Sequence, residues 1–324
     1  MMRIVETISG FSKKDCVLTI GNFDGVHIGH QEILTAAKRT AAQKAVDLVV
    51  MTFEPHPVAI LHPEKTPQVL TPLELKKYLL AKYDVDYLIV LKDSRQLLNL
   101  SAADFVEQFL VKEVQPAVVV EGEDFNFGYG RGGNIRTLYN LGIEKGFEVS
   151  VIQTKKARLS IGHSVEISST IIRNILTSGK VADAAIALGR RYRLIGPVMA
   201  GRGRGKQLGF PTANIQPYRQ IIPAEGVYAG FVGIGESEKD VCVAKKLIPA
   251  AFSIGRTETY GTDNPMKIEA HLLEQAGDDL VGRWMAMDFV KRIREQLKFE
   301  TEAELSAQIA KDCEKTKEIL TLSK

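Results

Sequence analysis

The sequence predicts an α/β protein of two domains, a doubly wound parallel sheet over residues 1–188 and an antiparallel barrel or sandwich with a terminal helix over residues 189–324. Three observations predict it. At 324 residues the chain exceeds the usual size of a single domain. Between residues 17 and 153, short β-branched runs alternate with stretches of helical periodicity, the pattern of parallel strands joined by crossover helices. Beyond Tyr192 the chain changes character: short β-rich runs are separated by Gly, Pro and Asn, as in antiparallel sheets.

With 45% hydrophobic and 25% charged residues, the composition is that of a soluble globular protein with apolar material for two cores. A net charge of +3 is near balance for this length and gives no support to a polyanion partner. Cys16, Cys242 and Cys313 are isolated and odd in number, which argues against a disulfide framework and suits a reducing compartment. No charged segment near Met1 precedes a long apolar one, and no apolar stretch approaches about 18 residues. The expectation is a cytoplasmic protein, away from membranes, monomeric or weakly homo-oligomeric.

Val17-Leu18-Thr19-Ile20 reads as a strand and residues 31–45 as an amphipathic helix. Between them lies Gly21-Asn22-Phe23-Asp24-Gly25-Val26-His27-Ile28-Gly29-His30. Glycines let backbone approach a phosphate closely, and the N–H groups of the following helix start favour an anion. With the helix beginning near Gly29, His27 and His30 are about one turn apart and can face one bound group. A zinc site on this pair lacks the Glu of H-E-x-x-H and any nearby thiolate. Two imidazoles beside a phosphate cradle fit chemistry on phosphorus, although the same turn also occurs without a ligand.

Residues 47–53 read as the next strand, 71–83 as a helix, 87–91 as a strand, 101–113 as a helix with Ser101 as N-cap, and 117–121 as a strand. Ligands of such sheets lie at the strands' carboxyl ends, where three more segments fall. Thr52-Phe53-Glu54-Pro55-His56-Pro57 leaves its strand through two prolines that fix the loop presenting His56. Gly122-Glu123-Asp124-Phe125-Asn126-Phe127-Gly128 mixes acceptors, amide donors and two aromatics, suited to a ring system with polar edges. Ile167-Ser168-Ser169-Thr170-Ile171-Ile172-Arg173 offers hydroxyls at a helix start and a guanidinium near its first turn, groups that cap helices and also hold phosphate oxygens. Each segment alone is equally an ordinary turn or cap.

In order over residues 20–173, these four segments resemble the H-x-G-H, Phe-x-Pro-His-Pro, Gly-x-Asp-Phe-x-Phe-Gly and Ile-Ser-Ser-Thr-x-Ile-Arg motifs of the bacterial bifunctional riboflavin kinase/FAD synthetases. The resemblance implies a Rossmann-like doubly wound nucleotidyltransferase domain that transfers AMP from ATP to FMN, giving FAD and pyrophosphate. It implies that His27 and His30 are catalytic and donate to oxygens of the transferring and leaving groups, where charge builds. Gly21, Phe23, Asp24, Ser168, Ser169 and Arg173 would bind ATP and its phosphates, which Mg²⁺ would bridge. Asn22, His56, Asp124 and Asn126 would contact FMN or nucleotide.

Residues 169–178 and 180–188 read as two short helices broken by Gly179, and Gly189-Arg190-Arg191-Tyr192 as the junction. Strands are expected at 192–199, 226–234, 247–254 and 266–273. Thr301 and Glu304 have capping-box spacing ahead of Leu305, Ile309, Cys313 and Leu320, an amphipathic helix expected to pack on the barrel. From Gly201 to Gly209, glycines and cations interleave in a loop that can surround phosphates, lacks the Gly-Lys-Ser/Thr order of a Walker A loop, and alone suits RNA contact or a solvated turn as well. Gly209-Phe210-Pro211-Thr212-Ala213-Asn214 resembles the flavokinase signature. That implies an antiparallel β-barrel flavokinase domain with a terminal helix, with Gly201, Gly203, Gly205, Lys206 and Gly209 at the ATP phosphates and Thr212 and Asn214 at Mg²⁺. Ile268-Glu269-Ala270-His271 resembles the family strand whose Glu is the general base, which makes Glu269 the acceptor of the proton from riboflavin's terminal hydroxyl. A carboxylate is a far weaker base than an alkoxide, so it takes that proton only as the P–O bond forms.

The second half departs from the family at Arg256-Thr257-Glu258-Thr259-Tyr260, Gln275, Val281 and Lys206. Aromatics missing at Gln275 and Val281 weaken a ring pocket, and Lys206 replaces a planar fork with a point charge. Arg292-Ile293-Arg294-Glu295 through Phe299 again fits the family pattern. The reading is therefore an enzyme that converts riboflavin to FMN in its barrel and FMN to FAD in its first domain, with riboflavin, FMN, FAD and ATP as partners and no nucleic acid. An adenylyltransferase whose barrel phosphorylates poorly is the nearest alternative. A non-catalytic nucleotide- or RNA-binding protein is the alternative of another class, against which the balanced charge and the position of Trp284 outside any basic run both count.

Overall fold

The computed structural model describes residues 2–322 apart from 9–10, 12, 93, 161, 202–209, 218, 257–265 and 275–279. The chain divides into two compact units: Met1–Pro67 with Lys76–Arg158 and Ser164–Ser168, and Gln68–Leu75 with Leu159–His163 and Ser169–Lys324. Up to residue 168 the elements are β1 (Arg3–Val5), β2 (Val17–Ile20), α1 (Ile28–Lys44), β3 (Leu48–Phe53), α2 (Pro57–Leu61), α3 (Leu73–Ala81), β4 (Tyr87–Leu91), α4 (Arg95–Leu98), α5 (Ala102–Asp104), a π-helix (Phe105–Val114) and β5 (Val118–Gly122). The hairpin β6 (Asn126–Phe127) and β7 (Gly133–Asn134), α6 (Ile135–Lys145), β8 (Glu148–Ile152) and the hairpin β9 (Lys156–Arg158) and β10 (Ser164–Glu166) follow.

Six strands make one parallel sheet in the order β1-β4-β3-β2-β5-β8. β2, β4 and β5 are buried along their whole length, which is why they read as continuous apolar runs: a parallel sheet is covered on both faces. The strand order reverses between β2 and β5, so the crevice at their carboxyl ends is the ligand position of this architecture. The expected strands lie within a residue or so of their predicted bounds. The expected helix over 101–113 differs in winding. Ser101 caps it, accepting from the Asp104 N–H at 3.1 Å, but from Phe105 it is a π-helix. Buried side chains there recur at five, Phe105 with Leu110 and Phe109 with Val114, so the wider turn keeps both pairs on the core side.

The rest of the chain is α7 (Ser169–Thr177), α8 (Val181–Leu188), β11 (Tyr192–Met199), β12 (Thr212–Ile215), β13 (Gly226–Gly235), α9 (Glu238–Cys242), β14 (Ile248–Arg256), β15 (Met266–Leu272), β16 (Trp284–Arg294) and α10 (Glu302–Thr321). The six strands close into an antiparallel barrel, β11-β12-β15-β14-β13-β16. β16 carries Asp288 in the middle of an apolar run, which hides it as a strand in the sequence. In the fold Asp288 sits opposite Arg193 of β11, which donates to it from Nε and Nη2, each at 2.6 Å. Inside the barrel lie Ala213, Ile215, Phe252, Ile254, Ile268 and Ala270. α10 has its expected capping box between Thr301 and Glu304. Of the expected stripe, Cys313 and Leu320 are buried and Leu305 and Ile309 half-buried; Asp312 and Thr316 are buried on the same face, where Arg294 of β16 holds Asp312 in a bidentate pair. Leu320 packs against Ala229 and Phe231 of the barrel.

Cys16, Cys242 and Cys313 are free and buried, and burial pushes their thiols up to about 12, 12 and 11. They pack as small apolar groups rather than as nucleophiles. Among the described residues no helix is long and apolar enough to cross a membrane.

Candidate active sites

The loop after β2 is built under strain. Phe23 and Val26 both have positive φ, +45° and +39°, in a region that costs a β-branched residue most. Both are almost fully buried, and Gln31 Nε2 donates to the Val26 carbonyl at 2.9 Å, so packing and a hydrogen bond hold the conformation. The result places His27 as N-cap of α1. Its Nδ1 accepts from the His30 N–H at 3.3 Å, which puts the proton of the neutral ring on Nε2. The His27 and His30 rings stack with centroids 3.6 Å apart, and the Phe23 ring stands edge-on to His30. A Cβ at Gly29 would lie 3.2 Å from His27 Cε1 and Nδ1, so only glycine lets the imidazole seat there without a shift. The sequence expectation that the two histidines share one face at a helix start holds in geometry. Phe23 and Asp24 are buried beneath the loop.

His56 meets the same loop. Its Nδ1 accepts from the Val58 N–H at 3.2 Å, capping α2, so its neutral ring carries the proton on Nε2. The Asn22 carboxamide lies 3.1 Å from that Nε2 with its nitrogen, while its buried oxygen has no hydrogen-bond partner among the described residues. Turning the amide over resolves both: the oxygen accepts from Nε2–H, and the NH₂ is left to donate to a ligand. Asp124 and Asn126 are exposed beyond β5, with Asn126 Nδ2 donating back to the Asp124 carbonyl. Ile167, next to Ser168, has its carbonyl 3.8 Å from the Cβ position of Gly29, so the end of the Ser164–Ser168 segment borders the histidine loop. Ser169 and Arg173 begin α7 in the second unit, where Arg173 Nε donates to the Gln68 carbonyl at 2.8 Å.

Sequence reasoning missed Glu121, a carboxylate inside the apolar run of β5. It is fully enclosed at the strand-order reversal, where it accepts from the Ile20 N–H and, at 3.5 Å, from the Thr19 hydroxyl. Its side chain takes the place of a ladder bond and ends β2–β5 pairing at Leu18–Val119. Desolvation raises its pKa well above the usual carboxylate value, outweighing the two hydrogen bonds that lower it, and the charge of Asp124 adds to the rise. A group whose folded pKa is raised contributes stability that is fully present below its unfolded value and is lost as pH rises through the folded one. Glu121→Gln, which keeps the acceptor oxygen but cannot ionise, is therefore expected to lose less melting temperature than the wild type as pH is taken to the alkaline side. Parallel curves of melting temperature against pH would sink this account.

In the barrel, Thr212 and Asn214 alternate on β12, with Ala213 and Ile215 turned inward. Register sets Asn214 opposite Glu269 and Thr212 opposite His271, and sets Ser253 of β14 on the other side of Glu269. All five side chains therefore stand on one outer face of the barrel. Glu269 borders a cavity of about 170 Å³ with Ser253, Arg256, Lys267 and Gln296, whose Nε2 donates to Ser253 Oγ at 3.0 Å. Two residues along β15, His271 donates from Nδ1 to the Pro211 carbonyl at 2.9 Å and meets the Phe210 ring edge-on. Beside it a second cavity, about 600 Å³, opens between Phe210, Leu272, Leu273 and Cys313 of α10. A Cβ at Gly201 would collide with the Asn214 carboxamide, so the backbone there runs directly against it. Gly203, Gly205, Lys206 and Gly209 lie outside the described residues, as do Gln275 and 257–260. Val281 is exposed.

Residues 11–171 match the family model for FAD synthetase, and residues 188–320 that for riboflavin kinase. The bifunctional riboflavin kinase/FMN adenylyltransferase of Escherichia coli (strain K12) is 36% identical over 100% of this chain and 99% of its own. The corresponding protein of Pseudomonas fluorescens is 35% identical over 92% of this chain and 91% of its own. A solved structure from Streptococcus pneumoniae, described as a macrolide-efflux protein, superposes with a TM-score of 0.83 at 27% identity over 98% of both chains. The strained histidine loop at the sheet crevice and the Thr-Ala-Asn strand beside Glu269 thus occur in a chain matched from end to end, and the chain belongs to the bifunctional riboflavin kinase/FMN adenylyltransferase family.

Proposed function

We propose that the barrel, residues 189–324, phosphorylates riboflavin to FMN with ATP, and that residues 1–188 transfer AMP from ATP to FMN, releasing pyrophosphate. The observation that carries the reading is the stacked pair His27 and His30 at the crevice where the strand order reverses, with His27 held by its cap so that Nε2–H is the donor. In that role His27 and His30 donate to phosphate oxygens as charge builds on the transferring group and on pyrophosphate. Gly21 and the Ser168, Ser169 and Arg173 groups hold ATP, while the Asn22 NH₂, His56, Asp124 and Asn126 serve FMN or the nucleotide. The attacking group is the phosphate of FMN, so no protein nucleophile is required.

In the barrel, Glu269 takes the proton of the riboflavin hydroxyl as the new P–O bond forms. Oxygen donors on Thr212 and Asn214 fit Mg²⁺, which takes hard oxygen ligands and shares them with phosphates, and the close seat of Gly201 against Asn214 fixes that carboxamide. When bound, Mg²⁺ neutralises charge on the ATP phosphates. The cavity beside His271, two residues from Glu269, has one apolar wall, Phe210, Leu272, Leu273 and Cys313, that suits the flavin ring, and a charged rim of Lys311, Glu314, Lys315, Lys317 and Glu318 from α10 that suits its polar edges. A cytoplasmic location accords with three buried free thiols.

The test is chromatographic analysis of products after the purified chain is incubated with Mg-ATP and either riboflavin or FMN. FMN followed by FAD from riboflavin is the expected result. FAD from FMN with nothing from riboflavin would reduce the barrel to a binding module, and conversion of neither flavin would overturn the reading.

A further inference from the structure

The buried cation Lys76 is used by nothing described so far. It lies on α3 with 5% of its surface exposed, in a position where an ammonium without compensation costs several kcal/mol. Its compensation comes from the loops of the transfer site. Nζ donates, over a long 3.5 Å, to the hydroxyl of Thr52 at the end of β3, and Thr52 in turn donates to the Asn22 carbonyl at 3.1 Å. The anionic groups that act on it are Asp24, in the histidine loop, and Glu54, in the loop of His56. Burial still pulls its pKa below the ordinary lysine value.

A hydroxyl has one proton. Because that of Thr52 is committed to Asn22, Thr52 meets Lys76 with a lone pair, and the two bonds run in one direction from ammonium to hydroxyl to backbone carbonyl. The carbonyl belongs to the residue whose side chain also meets His56. One cation beneath the crevice thus holds both loops that carry the histidines. The core of a parallel sheet needs no such cation for packing. A leucine or methionine would fill the volume without desolvating a charge.

We propose that Lys76 is a positioning residue for adenylyl transfer, fixing through Thr52 the loop from Asn22 to His30 against the His56 loop. This rests on the proposed transfer reaction at His27 and His30.

The experiment uses the full chain, in which riboflavin phosphorylation provides an internal control. In Lys76→Met, kcat for FAD formation from FMN is expected to fall about tenfold or more, the scale of a reacting geometry moved by a fraction of an ångström. KM for FMN stays within about threefold and riboflavin phosphorylation within about twofold. Thr52→Val, a milder change at the same link, lowers the same kcat, and the double variant is no worse than the more impaired single one. The proposal is overturned if Lys76→Met transfers AMP at the wild-type rate, if both activities fall together with the melting temperature, or if the two losses multiply. A wild-type chain that makes no FAD from FMN would instead overturn the underlying reaction, so the two failures are told apart.

Discussion

Replacing His27 with asparagine is expected to lower FMN adenylylation by about 10²–10³-fold, the scale of losing one donor to a developing oxyanion, and to leave riboflavin phosphorylation unchanged. Asparagine is chosen because His27 does two things. It caps α1 through Nδ1, accepting from the His30 N–H, and it presents Nε2–H on the stacked imidazole pair. Asparagine is among the best N-caps and can accept the same N–H, so the helix start and the strained loop before it survive. What disappears is the ring donor and its stack on His30. His27→Ala removes the cap as well and adds about 1 kcal/mol of destabilisation, so the difference in melting temperature between the two variants reports the cap, and their shared loss of kcat reports the chemistry. Transfer activity in His27→Asn within about threefold of wild type would remove His27 from the reaction.

The reason this loop was legible in the sequence is that its geometry is set by local spacing. Glycines, the two histidines three apart and the switch from a β-branched run to helical periodicity are all within one stretch, and the structure needs each: the glycine at 29 for the imidazole, the helix start for the cap. The parallel sheet was legible for a similar reason, because strands covered on both faces are apolar throughout. Where a residue's role depends on a distant partner, the sequence was silent. Asp288 interrupts β16 as a charge until Arg193 is seen opposite it. Glu121 reads as the end of a strand, but in three dimensions it fills the gap where the strand order turns. Lys76 reads as one cation on an amphipathic helix, and only the fold brings it beneath Thr52. The π-winding of Phe105–Val114 was hidden because its buried residues, Phe105 with Phe109, Val106 with Leu110 and Leu110 with Val114, also recur at the four-residue spacing of an α-helix.

In the barrel, Glu269→Gln is expected to lower kcat for riboflavin phosphorylation by about 10²–10⁴-fold, the contribution of a positioned general base, with KM for riboflavin little changed because the proton moves only in the transition state. Glutamine has nearly the same shape, and residue 269 stands on the outer face between Asn214 and Ser253 rather than in the barrel interior, so packing is preserved. Adenylylation of supplied FMN continues at the wild-type rate and shows that the rest of the chain is intact. The substitution also separates the two readings of the barrel. If the departures at Arg256, Val281 and Lys206 had left a pocket that binds flavin without turning it over, the wild type would phosphorylate slowly and Glu269→Gln would change nothing. A large loss from a measurable wild-type rate requires that Glu269 meet the hydroxyl in the productive geometry, and therefore that the barrel holds riboflavin productively despite those departures.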